Sequence, residues 1–132
     1  MFSLAQVVPK FLQPNGAILD SGGLVFSDGS GWQYGRDEPT GKPQYNYVRP
    51  TDYGSSYCVM VNRALFNQLG LYAPSYSPAW YDDTDAAFAI RQAGYNVYFT
   101  PFAEVYSVQR KRECKRNSVR AVSSLALFFC FL

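Results

Sequence analysis

The chain has 132 residues, enough for one ordinary domain. Hydrophobic residues make up 48% and charged residues 17%, a composition that excludes a disordered tail. The absence of histidine from the sequence excludes imidazole-based triads and zinc sites, which leaves carboxylates, hydroxyls and thiols for any catalysis. Aromatic residues reach 17%, which suits a buried core and surfaces that stack on flat ligands such as sugar rings or bases.

Charge is divided unevenly along the chain, although the net charge is only +2. Residues 1–109 carry six basic and nine acidic side chains, whereas residues 110–132 carry six basic and one acidic. The net charge of the whole chain therefore does not describe residues 1–109, which are acidic. Only the basic run 110–120 would favour nucleic-acid binding. We predict no nucleic-acid partner.

Cellular location is indicated by three features of the sequence. Cys58, Cys114 and Cys130 form no CxxC pair and no even-numbered disulfide framework, which favours a reducing compartment. The N-terminus lacks the basic start and long apolar core of a secretory signal. The apolar end 121–132 would span about 18 Å as a helix, short of a membrane core of roughly 30 Å. We therefore predict a cytoplasmic protein without a membrane span.

The predicted elements alternate strands with short helices. In chain order we expect strands at 5–12, 17–19 and 23–26, a loop at 27–50, a strand at 57–61, helices at 63–69 and 84–93, and strands at 96–100 and 104–108. This alternation predicts an α/β fold with a partly parallel sheet. The loop contains many glycines and prolines, but its interspersed aromatic residues favour an ordered functional segment.

Turn and cap residues set the expected boundaries. The sequence QPNG at 13–16 predicts a tight turn that joins the first two strands into a hairpin. Asn62 is expected to cap the first helix, and Gly70 and Gly94 to end the two helices. Proline should interrupt or end the first strand near Pro9 and stop a later strand at Pro101. The apolar run 57–61 is typical of a strand buried on both faces.

An acidic group lies at the expected start of the second helix. Asp82, Asp83 and Asp85 follow Trp80 and Tyr81 in a loop that contains prolines. A helix N-terminus stabilises nearby negative charge by about 0.3–1 kcal/mol, so capping by Asp82 or Asp83 is the simplest interpretation. A carboxylate at a rigid loop-to-helix junction, beside aromatic faces, is also well placed as a general base.

The second candidate is the segment DYGSSY at 52–57. Its small residues precede a strand and would let a ligand approach the backbone, while the hydroxyls of Ser55 and Ser56 could donate hydrogen bonds. An ordinary polar entry to a strand explains the same pattern. The glycine-rich sequence DGSG at 28–31 lacks the lysine and spacing of a phosphate-binding loop.

Several blocks of the chain together resemble a known family. They are DSGGLVF (20–26), DGSGWQYGR (28–36), NYVR (46–49), DYGSS (52–56), RALFNQLG (63–70), YSPAWYDDTD (76–85), RQAGY (91–95) and Pro101. In this order they resemble the C-terminal, acceptor-side half of an inverting glycosyltransferase of family 2, which has the GT-A fold. The block at 76–85 is similar to the family motif written tyrosine-glutamate-aspartate-x-aspartate.

The resemblance implies transfer of a sugar from a nucleotide-sugar donor to the hydroxyl of a glycan acceptor. It implies that Asp83 is the general base, with Asp82, which stands where the family has glutamate, as the alternative. The remaining implied substrate-binding residues are Trp80 and Tyr81 beside the acceptor, Ser55 and Ser56 near the reacting groups, and Asp85, which orients the loop.

The chain also departs from the family pattern. The donor-binding half and its DxD motif, which would hold the divalent Mn or Mg ion expected for the complete domain, should precede residue 1. Ser56 replaces a glycine, and Ser107 or Val108 stands where the family has a histidine. We therefore expect a partial GT-A (Rossmann-like) fold, a mixed sheet with short helices that lacks the N-terminal nucleotide-binding half.

The predicted domain spans residues 1–108, and the basic then apolar tail 109–132 is not expected to belong to it. Such a partial domain should be inactive alone and could self-associate through an exposed sheet edge. The alternative function is a non-catalytic carbohydrate-binding or interaction remnant that uses the aromatic surfaces at Trp32, Tyr34, Trp80 and Tyr81.

Overall fold

The computed structural model describes residues 4–71 and 81–107, and the backbone of residues 128–131. These residues form a mixed α/β structure with a six-stranded sheet, a separate two-stranded sheet and two α-helices. The strands are β1 (Leu4–Leu12), β2 (Ile18–Asp20), β3 (Gly23–Val25), β4 (Gly31–Gln33), β5 (Arg49–Pro50), β6 (Cys58–Val61), β7 (Asn96–Tyr106) and β8 (Phe128–Phe131). The helices are α1 (Arg63–Leu69) and α2 (Asp82–Gln92). The predicted α/β class is confirmed, and the GT-A arrangement stays a prediction.

Strand β1 lies inside the larger sheet, whose order is β5-β7-β1-β6-β8, and it also pairs with β2. It runs parallel to β7 and antiparallel to β6, so the predicted partly parallel sheet is confirmed. The β1–β2 hairpin is also confirmed, with Leu12 opposite Ile18. Its turn is closed by the Gly16 N–H, which donates to the carbonyl of Gln13 at 2.9 Å. Gly16 has φ 84°, a conformation that favours glycine.

Two prolines share one irregularity between β1 and β7. Val8 is opposite Phe99, but the next paired residues are Lys10 and Glu104, so Pro9 and residues 100–103 have no partner in this register. Pro101 lies within the unpaired residues. The prediction that a strand ends at Pro101 is therefore wrong, because β7 continues to Tyr106. Both prolines lie in a bulge, where the ladder hydrogen bonds that a proline cannot donate are missing.

The loop at 27–50 is ordered, as predicted. It contains β4, which pairs with β3 as a hairpin, a 3-10 turn at Pro43–Tyr45, and β5. The buried Lys10 on β1 reaches this loop, because its Nζ donates to Oδ1 of Asn46 at 2.6 Å. The Ile18 N–H donates to the carbonyl of Glu38 at 2.9 Å. These bonds fix the loop against the β1–β2 hairpin.

Helix α1 begins and ends where its cap residues predict. Oδ1 of Asn62 accepts from the Leu65 N–H at 3.1 Å, and Gly70 follows the helix with φ 60°. Helix α2 begins at Asp82, two residues before the predicted start, and Gly94 follows it with φ 83°.

The main core lies between the sheet and the helices. Its buried members are Ala5, Val8, Tyr53, Val59, Val61, Leu65, Leu71, Ala86, Ala87, Ile90, Val97 and Phe99. Strand β6 alternates in burial, with Val59 and Val61 buried and Met60 36% exposed. The expectation that β6 is buried on both faces is wrong, because only one of its faces packs on this core. A smaller cluster contains Leu12, Ile18 and Tyr45.

The two outer strands of the larger sheet are β5 and β8. Strand β5 has two residues, one of them Pro50, which limits pairing at that side of the sheet. On the other side β8 runs parallel to β6, with Phe128 opposite Cys58. The boundary at residue 108 and self-association stay predictions, and residues 109–127 lie outside the described part. No helix among the described residues is long and apolar enough to cross a membrane.

Candidate functional site

The acidic cluster occupies the first turn of α2, which contains Asp82, Asp83 and Asp85. The N-cap position is held by Tyr81, whose φ of 70° is left-handed and whose side chain makes no capping hydrogen bond. The simplest sequence interpretation, capping by Asp82 or Asp83, is therefore wrong, because the helix starts earlier and the carboxylates lie inside its first turn. Trp80 lies outside the described residues, and Tyr81 is 63% exposed.

Asp83 has the most distinctive environment of the three carboxylates. Its side chain is half-buried, and Oδ1 accepts from the Thr84 N–H at 2.8 Å. Burial raises the pKa of Asp83 above its ordinary value, and the neighbouring charge of Asp82 adds to that increase, while the bond from Thr84 opposes it. A carboxylate whose pKa is raised toward neutral pH is a better proton acceptor at that pH.

A second carboxylate in this region was missed as a site residue. Asp20 ends β2 with 2% exposure, and its Oδ1 accepts from the Gly22 N–H at 2.8 Å. The pKa of Asp20 is raised to about 6, mainly by burial; the charge of Asp83 contributes to the increase, whereas the Gly22 bond and Arg49 oppose it. The sequence signal was an aspartate between a strand and a glycine pair, which resembles an ordinary turn.

The pKa of Tyr53 is affected by both carboxylates. Burial raises the pKa of Tyr53 to about 12, with further contributions from the charges of Asp20 and Asp83. Its ring contacts the positions of Gly23 and Gly31, where an added Cβ would clash with it or crowd its hydroxyl. The segment 52–57 and the acidic cluster, predicted separately from sequence, are therefore brought into the same region as Asp20.

The remaining predicted residues lie deeper than expected. Ser55 and Ser56 are 6% and 9% exposed. Between Tyr53 and Ser55, Gly54 packs so closely on Val8 that an added Cβ would overlap Cγ1 of Val8. Gly54 thus serves close packing against β1, and a role of the serines beside a substrate stays a prediction.

Arg49 is a cation that acts on Asp20 and that the structure orients firmly. Its guanidinium carbon lies 4.5 Å from the ring centre of Tyr34 and 5.0 Å from that of Phe99. Its Nη2 donates to the carbonyl of Ser21 at 2.5 Å. Because this charge lowers the pKa of Asp20, Arg49 limits how far burial can neutralise that carboxyl group.

The resemblance implies a divalent metal, so the donor set matters. Residues 4–71 and 81–107 contain no group of three or more histidine, cysteine, aspartate or glutamate side chains that could hold a metal ion. The described residues therefore do not fit the expected ion, whose ligands the resemblance implies in the donor-binding half.

Comparison with known proteins adds no family: no family model, no curated protein and no solved structure matches the chain.

Proposed function

We propose that this chain forms the acceptor side of an enzyme that transfers a sugar with inversion from a nucleotide-sugar donor to a glycan hydroxyl. The observation that carries the proposal is that two carboxyl groups withdrawn from water, those of Asp83 and Asp20, both have raised pKa values. One half-buried and one buried carboxylate, from α2 and β2, come into electrostatic range beside Tyr53. Raised carboxylate pKa values in one region are typical of sites that move protons.

In the proposed step Asp83 removes the proton from the acceptor hydroxyl. The hydroxyl oxygen then forms a bond to the anomeric carbon of the donor sugar, on the face opposite the leaving group. The bond from that carbon to the diphosphate oxygen breaks, and the nucleoside diphosphate leaves with the electron pair. Asp83 fits this role because it is partly withdrawn from water, while Asp20 keeps a second proton-holding group nearby.

Donor binding is not assigned to the described residues. In the proposed enzyme a nucleotide-binding part beyond these 132 residues holds the donor, so the isolated chain should not transfer sugar. Turnover by the isolated chain, abolished by Asp83→Asn, would show instead that these residues suffice.

The test uses the polypeptide as the cell makes it, with any subunit that it binds, captured with an antibody raised against residues 27–50 and expressed from its cloned gene. The isolated 132-residue chain is assayed separately, because it should show no transfer. The captured polypeptide is incubated with UDP-, GDP- and dTDP-linked sugars and labelled neutral oligosaccharides, and products are detected by mass spectrometry. We expect transfer with inverted anomeric configuration, reduced at least about 100-fold by Asp83→Asn. The matched control is Asp28→Asn, which changes an exposed aspartate on the β3–β4 turn and should leave transfer unchanged.

Two results would overturn the proposal. One is a polypeptide that transfers none of these sugars to any of the oligosaccharides. The other is transfer that Asp83→Asn reduces no more than Asp28→Asn does, because a general base cannot be replaced by an amide without a large loss of rate.

A further inference from the structure

A cleft of about 310 Å³ opens beside the β3–β4 hairpin, and none of its lining residues belongs to α2. We call it the hairpin cleft. The residues that matter for its chemistry are Leu24, Phe26, Trp32, Tyr34, Arg36 and Glu38. Its volume lies at the lower end of the range for small-molecule sites, enough for a single ring rather than a large cofactor.

Two exposed aromatic rings form the outer part of the hairpin cleft. Trp32 is 60% exposed and Phe26 46% exposed, although both are large apolar side chains. Their ring centres lie 6.4 Å apart with planes tilted by 46°. Exposed aromatic faces beside a concave surface are suited to stack on a flat or partly apolar ring.

The inner wall of the hairpin cleft is held rigidly. The ring of Tyr34 meets that of Tyr45 edge-on, with centres 5.2 Å apart, and the guanidinium of Arg49 stacks on Tyr34. Tyr45 is itself buried. A ligand would therefore meet a wall that needs little ordering on binding.

The polar side chains of the hairpin cleft are balanced in charge. Nη1 of Arg36 donates to Oε1 of Gln33 at 2.6 Å, and one carboxylate oxygen of Glu38 pairs with Lys42. These partners orient the guanidinium and the carboxylate while leaving further donors on Arg36 and a second oxygen on Glu38. A donor and an acceptor in one cleft suit a hydroxyl-rich ligand, because each hydroxyl both donates and accepts a hydrogen bond.

The hairpin cleft is bonded directly to the chain segment that follows Asp20. The Tyr34 N–H donates to the carbonyl of Gly22 at 3.0 Å, and Tyr34 in turn accepts from the Ser21 N–H at 3.0 Å. Oγ of Ser21 also donates to the Tyr34 carbonyl, at 2.7 Å. The cleft wall and the buried carboxylate thus belong to one hydrogen-bonded unit.

We propose that the hairpin cleft binds one neutral pyranose ring of a glycan chain. The apolar face of the ring stacks on Trp32 and Phe26, and its hydroxyls bond to Arg36 and Glu38. We further assign this ring to the acceptor, as a sugar unit that does not itself react. This assignment, unlike the binding itself, rests on the sugar transfer proposed above. The acceptor is then an oligosaccharide or longer chain.

The experiment uses the fluorescence of Trp32 as the reporter. The chain has two tryptophans, so Trp80→Phe leaves Trp32 as the single one. This variant is titrated with neutral trisaccharides of glucose, N-acetylglucosamine and mannose. We expect a saturable change in emission with at least one of them. Adding Phe26→Ala should weaken that binding about tenfold by removing one stacking face.

Two further variants separate the hairpin cleft from other surfaces. Phe102→Ala removes an aromatic ring on β7 that is 85% exposed, and it should leave the affinity unchanged. Asp83→Asn should also leave the affinity unchanged while abolishing transfer in the full enzyme. Trp32→Ala should abolish binding, which saturation-transfer NMR of the sugar would show. Because Phe26 and Trp32 are exposed, circular dichroism should show that both variants stay folded.

Several results would overturn the proposal. They are the absence of saturable binding with all three trisaccharides, binding that Phe26→Ala and Phe102→Ala weaken equally, and a response to UDP that no trisaccharide produces. Failure of the transfer proposal is distinguishable, because it would leave trisaccharide binding intact while no enzyme form transfers a sugar.

Discussion

Asp52 joins the loop before β6 to helix α2, because its Oδ1 lies 3.3 Å from Nη1 of Arg91. Its other carboxylate oxygen accepts from the Val25 N–H at 3.0 Å. One side chain therefore connects β3, the segment before β6 and α2. These three elements hold or adjoin the hairpin cleft, Tyr53 and Asp83.

Substitution of Asp52 should separate the contribution of its two bonds. Asp52→Asn keeps an oxygen for Val25 and should cost less than about 1 kcal/mol of unfolding free energy, because a partly exposed ion pair is weak. Asp52→Ala leaves the Val25 N–H without its acceptor and should cost about 1–3 kcal/mol. Urea denaturation of both variants checks this. Equal losses would show that the bond to Val25 contributes nothing.

Gly54→Ala should strongly destabilise the fold. The added Cβ would overlap Cγ1 of buried Val8, and overpacking of this kind costs about 1–3 kcal/mol or more. Gly41→Ala is the matched control, because an added Cβ there meets nothing within 4 Å. Thermal unfolding compares the two. Val8→Ala should partly rescue Gly54→Ala, and a Gly54→Ala protein as stable as Gly41→Ala would contradict the packing argument.

The burial of Asp20 should make stability depend on pH. The native carboxyl keeps its proton up to about pH 6, whereas the unfolded chain releases it near the ordinary value of 3.8. Between these values the native state binds more protons, so the free energy of unfolding falls as pH rises, by up to about 3 kcal/mol.

Asp20→Asn should remove most of this fall, because the amide oxygen still accepts from Gly22 and carries no charge. Denaturation at pH 4, 5, 6 and 7 measures the effect. Asp28→Asn is the control. Hydrogen bonds from Ser30 lower the pKa of Asp28, so removing this carboxylate cannot reduce the decrease in unfolding free energy between pH 4 and pH 6. A fall of the same size in Asp20→Asn would place its origin elsewhere.

The pH profile of transfer should identify the base. Activity should rise with pH through the raised pKa of Asp83, since only the ionised carboxylate accepts a proton. Asp82→Asn removes a charge that contributes to the raised pKa, so the rising part of the profile should move to lower pH with activity retained. Loss of activity in Asp82→Asn, with transfer retained in Asp83→Asn, would assign the base to Asp82 instead.

Short-range chemistry made several features of the fold predictable. The turn at 13–16, the Asn62 cap and the left-handed Gly70 each depend on a few neighbouring residues, and the structure has all three. Pro9 and Pro101 were harder to interpret, because the effect of each proline depends on the other. A proline ends a strand where the neighbouring strand needs a backbone N–H as donor. Here Pro9 and Pro101 both lie in the gap in the β1–β7 register, where no ladder hydrogen bond is formed.

The site was less predictable than the fold for a similar reason. The acidic cluster was visible in the sequence, but the left-handed entry at Tyr81 that moves Asp82 inside α2 was not. The importance of Asp20 comes from its burial and from charges distant in sequence, those of Arg49 and Asp83. No local pattern encodes that burial.

The gap at the two prolines also separates the β1–β7 ladder into two stretches. The β1–β7 ladder before the gap includes Val8 and Phe99 and belongs to the main core, whereas β1 beyond the gap reaches Leu12 in the smaller cluster. Missing backbone bonds at the junction make it the place where cooperative opening would stop. We therefore expect the end of the sheet beside the hairpin cleft to exchange its amide hydrogens with solvent faster than the part that packs on α2, which native-state hydrogen exchange would measure.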